Sequence, residues 1–252
     1  MPDVPRPPST VRVVKIGGSL LTDLSSYARA AEAIARQLDE GGARVIVVVS
    51  AELGATDALL EAARTLAPEP DPRALDLLWS TGELRSVALL ALALQSRGIT
   101  AAGLGVHETG LTADARGGAA APAVTLNPLR LRAAIARHAV VIVPGFLATD
   151  DAGRVVTLGR GGSDLTAVVI AAGLGAERCD LLKDVPGYFT ADPRRDASAT
   201  RVPSLDFARA IALADAGCEL VQRDALVHAG RAGLPLVVRA MDAAAGGTVV
   251  RD

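Results

Sequence analysis

Lysine is almost missing from this chain: the 26 basic residues include only two lysines, Lys15 and Lys183, beside 24 arginines. Aromatic residues are scarce too, at 2%, although half of the sequence is apolar. A core without aromatic bulk has to be assembled from Ala, Val and Leu, the composition of buried parallel strands under alanine-rich helices. Cys179 and Cys218 are too few and too far apart for a disulfide framework or a zinc site, and they read as buried apolar fillers. His107, His138 and His228 are scattered and form no catalytic set. A net charge of −2, with dispersed arginines and no interleaved aromatics, gives no support to nucleic-acid binding. No apolar run reaches membrane-spanning length without a charge, glycine or proline, and the proline-rich residues 1–10 lack the apolar centre of a signal peptide. The expectation is a cytoplasmic protein without a membrane partner, with a flexible segment over 1–10 and a single domain over 11–252.

Apolar runs alternate with helical patterns along the chain. Val11–Ile16 and Arg44–Val49 read as buried strands without polar alternation, and Ala139–Val143 as a third. Shorter strands are expected at Thr100–Leu104, Cys179–Leu182, Pro235–Val238 and Thr248–Val250. Helices are expected at Tyr27–Leu38, Thr56–Leu66, Ala74–Gln95, Pro128–Arg137, from Ser163-Asp164, from a Ser204 cap to about Gly217, and at Asp224–Arg231. The Ala74–Gln95 helix should bend or break near Thr81-Gly82. A polar, glycine-rich stretch leads up to about Ala123. Within Phe146–Thr157, the turn Asp150-Asp151-Ala152-Gly153 predicts a β-hairpin. Strands alternating with helices predict an α/β fold with an open, mostly parallel sheet covered on both faces.

Three glycine-containing turns follow predicted strands: Gly17-Gly18-Ser19, Ser50–Gly54 and Pro144-Gly145. In an open α/β sheet, such turns at carboxyl ends let backbone N–H groups approach an anion. The run Thr157-Leu-Gly-Arg-Gly-Gly-Ser-Asp164 adds three glycines leading into Ser163-Asp164, a good helix N-cap whose N–H groups would attract an anion. Arg160 has room there to present its fork to a carboxylate or phosphate. The segment Lys183-Asp-Val-Pro-Gly-Tyr-Phe-Thr-Ala-Asp-Pro-Arg194 offers Lys183 and Arg194 for phosphates and Tyr188 to flank a purine or ribose. Glu83 stands where Gly82 interrupts the long helix pattern. Walker A spacing, H-E-x-x-H, G-x-S-x-G and a Rossmann glycine fingerprint after the first strand are absent.

Lys15-Ile-Gly-Gly-Ser, Val49-Ser-Ala with Thr56-Asp57, Ser80-Thr-Gly-Glu83, Thr157–Asp164 and Asp184–Arg194 occur in an order that resembles the amino-acid kinase family. They look most like the catalytic domain of aspartate kinases. The resemblance runs from about residue 11 to 250 and implies a three-layer αβα sandwich, with an acceptor lobe followed by a nucleotide lobe from about residue 160. It implies ATP- and Mg2+-dependent phosphorylation of a carboxylate, most directly that of aspartate, to an acyl phosphate, and a homo-oligomer of two or more subunits. Lys15 would neutralise the transferring phosphoryl group, Gly17, Gly18 and Ser19 would hold it, and Asp164 would orient Lys15. Arg160 would pair with the substrate carboxylate, Glu83 would receive its ammonium group, and Ser50, Thr56 and Ser163 would line the same pocket. Lys183, Asp184, Tyr188 and Arg194 would belong to the nucleotide side, and no protein metal ligand is implied. An acceptor carboxylate is already ionised at neutral pH, so the reaction needs positioning and charge stabilisation rather than a general base.

The chain departs from the aspartate kinase pattern at several places. Ile16 and Ser19 stand for the usual phenylalanine and threonine, Glu52 for a methionine, and Lys183 for a threonine. Val221-Gln222-Arg223 replaces a leucine-histidine-proline-arginine run. The sequence ends at Asp252, where aspartate kinases continue into ACT domains, so feedback control through such domains is not expected. Within the resemblance, the alternative acceptors are another small acid or a phosphate monoester. A third possibility is a regulatory or storage protein that binds nucleotide without turnover.

Overall fold

The structure is a computed structural model that describes residues 11–39, 44–114, 123–159, 161–193, 195–242 and 246–252. In chain order the first half comprises β1 (Val11–Ile16), α1 (Leu24–Asp39), β2 (Arg44–Val49), α2 (Ala55–Leu66), α3 (Pro72–Gln95), β3 (Ala101–Gly103), α4 (Val106–Thr109), β4 (Leu111–Ala113), β5 (Val124–Leu126) and α5 (Leu129–Arg137). It continues through β6 (Val140–Pro144), β7 (Leu147–Thr149), β8 (Val155–Thr157), α6 (Gly162–Leu174), β9 (Cys179–Lys183), β10 (Ser204–Leu205), α7 (Phe207–Asp215), α8 (Arg223–Ala232), β11 (Leu236–Ala240) and β12 (Thr248–Val250).

An eight-stranded sheet in the order β10-β12-β11-β9-β1-β2-β6-β3 runs through the domain, parallel except where β11 meets β12. Its valine-rich central strands are buried on both faces, which explains their lack of polar alternation. Val13, Ile46, Val48, Val141, Val143 and Leu181 face one apolar cluster that includes α6 and α8. Val14, Ile16, Val45, Val47, Val49 and Ile142 face the other, built with α1 and α3. These two layers of helices around one sheet are the expected three-layer αβα arrangement.

Several local expectations are corrected. The long helix does not break at Gly82: α3 is continuous, and Gly82 is buried where an added Cβ would stand 3.1 Å from Cβ of Ala51. Glycine here allows close packing on the turn after β2. Ser204 does not cap a helix; it begins β10, and Asp206 caps α7 by accepting from the backbone N–H of Arg209 at 2.6 Å. The glycine-rich stretch before Ala123 contains α4 and β4, although residues 115–122 lie outside the described residues. Together with β5 and the predicted hairpin β7–β8, β4 forms a second, four-stranded sheet in the order β5-β4-β7-β8. Among the described residues α3 is the one helix long and apolar enough to cross a membrane, yet Val87, Leu90, Ala91 and Leu94 bury its apolar face within the helical layer over the sheet.

The close approach of α6 to the end of β6 depends on Gly145, where an added Cβ would come within 2.6 Å of the Ser163 side chain and 2.9 Å of the Val49 carbonyl oxygen. Gly145→Ala should therefore destabilise the chain by about 1–3 kcal/mol through overpacking, read as a lower urea midpoint. An unchanged midpoint would mean that the contact relaxes freely.

Candidate active site

Strand polarity assembles the site. β1, β2 and β6 are neighbours and parallel, so the turns after them meet at one edge of the sheet. The ladder continues into two of these turns: Ser50 N–H donates to the Ile16 carbonyl at 3.2 Å, and Gly145 N–H to that of Val49 at 2.8 Å. At Gly18 any side chain would collide with the turn after β2, since a Cβ would stand 2.5 Å from the Ala51 carbonyl oxygen.

The two lysines converge. β1 and β9 pair with Lys15 opposite Leu181, so Lys183, two residues further on, projects from the same face of the sheet as Lys15. α6 covers that face and brings Asp164 in its first turn. Lys15 Nζ lies 2.9 Å from Asp164 Oδ1, and Lys183 Nζ lies 3.0 and 2.8 Å from Oδ1 and Oδ2. The backbone N–H of Gln222 adds a bond of 3.3 Å to Oδ2. Lys15 is 6% exposed and Asp164 3%. Burial alone would disfavour the carboxylate, but the two ammonium groups outweigh it and hold Asp164 well below the usual carboxylate range. Burial draws the Lys183 ammonium down from its ordinary value; Asp164 opposes this and Lys15 adds to it. Two cations on one anion leave an excess of positive charge in a partly desolvated place, where a phosphoryl group would be attracted strongly.

Gly18, Ser19, Ser50, Thr56, Glu83 and Ser163 line one cleft of about 510 Å³, so the structure brings these expected residues together, while Gly17 lies outside that lining, beside Lys15 Nζ. Glu83 reaches it from α3. Its side chain is buried, the Ala51 amide donates to it, and its Oε2 has no hydrogen-bond partner among the described residues. Burial pushes the carboxyl up to about 8, against the opposing effects of the Ala51 amide and the Lys15 charge. A hollow of about 690 Å³ near β10 and the chain end holds none of the site residues selected from sequence.

On the nucleotide side the correspondence is looser. Lys183 joins the cluster just described, and Asp184 beside it is exposed. Tyr188 is corrected: the ring expected to flank a nucleotide is 3% exposed and belongs to the core. Its backbone is fixed there, with its N–H bonded to Thr248 Oγ1 at 2.9 Å and its carbonyl accepting from Val202 at 2.8 Å. The partly exposed aromatic of this segment is the next residue, Phe189. Ser163-Asp164 is also corrected as a cap. The N-cap is Gly161 at φ 77, and the N–H groups of Gly162 and Asp164 turn to the carbonyls of Gly159 and Gly161. Arg160 and Arg194 lie outside the described residues.

Some residues of the cleft and its surroundings were not selected as site residues from the sequence. Trp79 and Phe146 line the cleft with their rings edge to face, centroids 6.1 Å apart. Thr157, also in the wall, donates to Asp76 Oδ1 at 2.8 Å. Glu52 is held by Arg85 and by Tyr27, whose hydroxyl donates to it at 3.0 Å. Burial, with Glu52 adding to it, pushes the Tyr27 hydroxyl up to about 12. The available sequence signal for Trp79 was its spacing of four from Glu83 on one helix.

The profile of the amino acid kinase family matches residues 10–240. The chain is similar to an aspartokinase of Thermus thermophilus, with 39% identity over 240 residues, covering 95% of this chain and 59% of that protein. Among solved structures it is similar to the aspartate kinase from Synechocystis, with a TM-score of 0.83 and 33% identity over 96% of this chain and 40% of that one. The E. coli aspartokinase III complex with aspartate and ADP gives a TM-score of 0.83 at 29% identity, over 97% of this chain and 65% of that one. The chain thus spans little more than half the length of the curated relatives it matches.

The raised pKa of Glu83 has a consequence for stability. The folded chain binds this proton more tightly than the unfolded chain, so the stabilisation is complete below the ordinary value of 4.5 and is lost as pH rises toward about 8. Over that window the urea midpoint of Glu83→Gln should fall less than that of the wild type. Parallel slopes would show that Glu83 titrates normally.

Proposed function

The chain belongs to the amino acid kinase family, and we propose that it transfers the γ-phosphoryl group of ATP to the side-chain carboxylate of a small amino acid, aspartate in the first instance. The observation that carries this reading is the Lys15–Asp164–Lys183 cluster, placed beside a cleft whose wall holds the buried carboxyl of Glu83, with an Oε2 that has no hydrogen-bond partner among the described residues. An oxygen of the acceptor carboxylate attacks the γ-phosphorus, the bond to the bridging oxygen of ADP breaks, and an acyl phosphate is released. The electron pair goes to ADP and no proton has to be removed from the acceptor. The site supplies what such a step needs, which is orientation and compensation of negative charge.

In this reading Lys15 follows the phosphoryl group, Gly17, Gly18 and Ser19 hold it, and Asp164 keeps both ammonium groups aimed at it. Lys183 supplies a second cation on the nucleotide side, a compact charge on a flexible stem that can follow a moving phosphoryl group. Arg160 receives a carboxylate of the acceptor and Glu83 its ammonium group, with Ser50, Thr56 and Ser163 around it. Binding an ammonium group would return Glu83 to its ionised form and satisfy its orphaned oxygen. Asp184, Arg194 and, in place of Tyr188, Phe189 make the nucleotide side.

Among the described residues no group of three His, Cys, Asp or Glu side chains could hold a metal ion, and Asp164 is committed to lysines. This donor set fits magnesium that arrives on the nucleotide's phosphates with its own waters, with Asp184 as the exposed carboxylate next to Lys183. Magnesium so bound would supply charge neutralisation on the phosphate oxygens.

Hydroxylamine trapping with ATP, magnesium and a panel of amino and hydroxy acids tests the reaction, with ADP release followed in parallel. Aspartate should give a hydroxamate. ADP release without a trapped product would point instead to a phosphate-monoester product, and nucleotide binding without ADP release to a protein that does not turn over. Lys15→Ala should lower kcat on the order of a hundredfold with little change in nucleotide affinity, and Arg160→Ala should chiefly raise KM for the acid. Wild-type kinetics in both variants would remove these residues from the site.

A further inference from the structure

We propose that Trp79 is a specificity-determining residue of this cleft, a fixed wall that limits the acceptor to an amino acid with a short acidic side chain. The proposal rests on the reading of the cleft as the acceptor site. Trp79 and Glu83 are four residues apart on α3 and therefore share a face, one helical turn or about 6 Å along the axis. If Glu83 takes the acceptor's ammonium group, whatever extends toward the start of α3 meets the indole within that distance.

Two restraints fix the indole. Its Nε1–H donates to the Thr56 carbonyl in the first turn of α2 at 3.2 Å. Its ring stands at 68° to that of Phe146, with centroids 6.1 Å apart. Phe146 is itself held in an unusual state. Its φ of 64 makes it the one non-glycine residue with positive φ among the described residues, a conformation that costs on the order of 1–3 kcal/mol. Its neighbours enforce it: the Phe146 N–H donates to Thr166 Oγ1 at 3.2 Å, and its carbonyl accepts from Leu158 at 2.8 Å. The sequence has three phenylalanines, two tyrosines and one tryptophan, yet two of these rings meet in this wall. A strained backbone and a tethered indole make a surface that does not yield, and such a surface discriminates by length.

The test compares kcat/KM for aspartate and glutamate, which differ by one methylene, in the wild type, Trp79→Ala and Trp79→Phe. The aspartate-to-glutamate ratio should fall on the order of tenfold in Trp79→Ala, and less in Trp79→Phe. An unchanged ratio in folded Trp79→Ala overturns the proposal while leaving the kinase reading intact. If the wild type ignores aspartate, that failure belongs to the aspartate reading. The comparison is then made with the acid that hydroxylamine trapping identifies and its homologue one methylene longer. A second measurement needs no variant: the chain has a single tryptophan, so a bound acceptor should shift its emission saturably. An acid that is turned over without moving that emission also overturns the proposal. A chain that turns over no acid takes this proposal down together with the reading on which it rests.

Discussion

Asp164 holds two ammonium groups inside the protein, and the arrangement of the site follows from that shared charge. The carboxylate sits in the first turn of α6, its cations come from neighbouring parallel strands, and the Gln222 amide before α8 adds a further bond. One side chain thus fixes α6, β1, β9 and the entry to α8 to one another. Removing it would leave two buried cations facing each other, which is far worse than losing an ordinary ion pair. With it in place the two lysines share one carboxylate, so the cluster keeps an excess of positive charge that would suit an anion.

α3 organises the opposite wall in a comparable way. Asp76, Trp79, Glu83 and Ser86 follow one another at helical spacing and contact, respectively, Thr157, Phe146 with Thr56, Ala51, and Tyr27. The next turn of the same helix, around Leu90 and Leu94, is plain core. A continuous helix is what keeps this stripe in register. The burial of Gly82 against the turn after β2 brings this polar part of the helix close to that turn.

The sheet and the three turns at its edge were legible because buried parallel strands write themselves as runs of valine and isoleucine. Lys15 and Glu83 were singled out through the motifs that carry the family resemblance, and the structure places Lys15 in the charged cluster and Glu83 in the cleft wall, although the helix break expected beside Glu83 is absent. The meeting of Lys183 with Lys15 on Asp164 was not legible, since it depends on the register between β1 and β9, a relation between distant segments that no local pattern contains. Tyr188 failed for a related reason: alternation along an extended segment sends neighbours to opposite sides, and choosing between Tyr188 and Phe189 needs the three-dimensional setting. β4 and β5, with three residues each, are too short to show a period. Ser204 satisfied the composition of a cap, but the chain pairs it with Val249 as an edge strand and lets Asp206 do the capping.

α2 stands apart from these constraints. It borders the cleft through Thr56, Asp57 and Leu60, yet none of its residues is buried, and Leu66 at its end is 89% exposed. Substitutions along it therefore perturb little of the core, unlike changes in α3 or α6, where recognition and packing share the same side chains. Mutational drift can reshape this border of the pocket while the Lys15–Asp164–Lys183 cluster stays fixed. Sequence variety should accumulate sooner along α2 than along α3 or α6, because fewer of its side chains are held by packing.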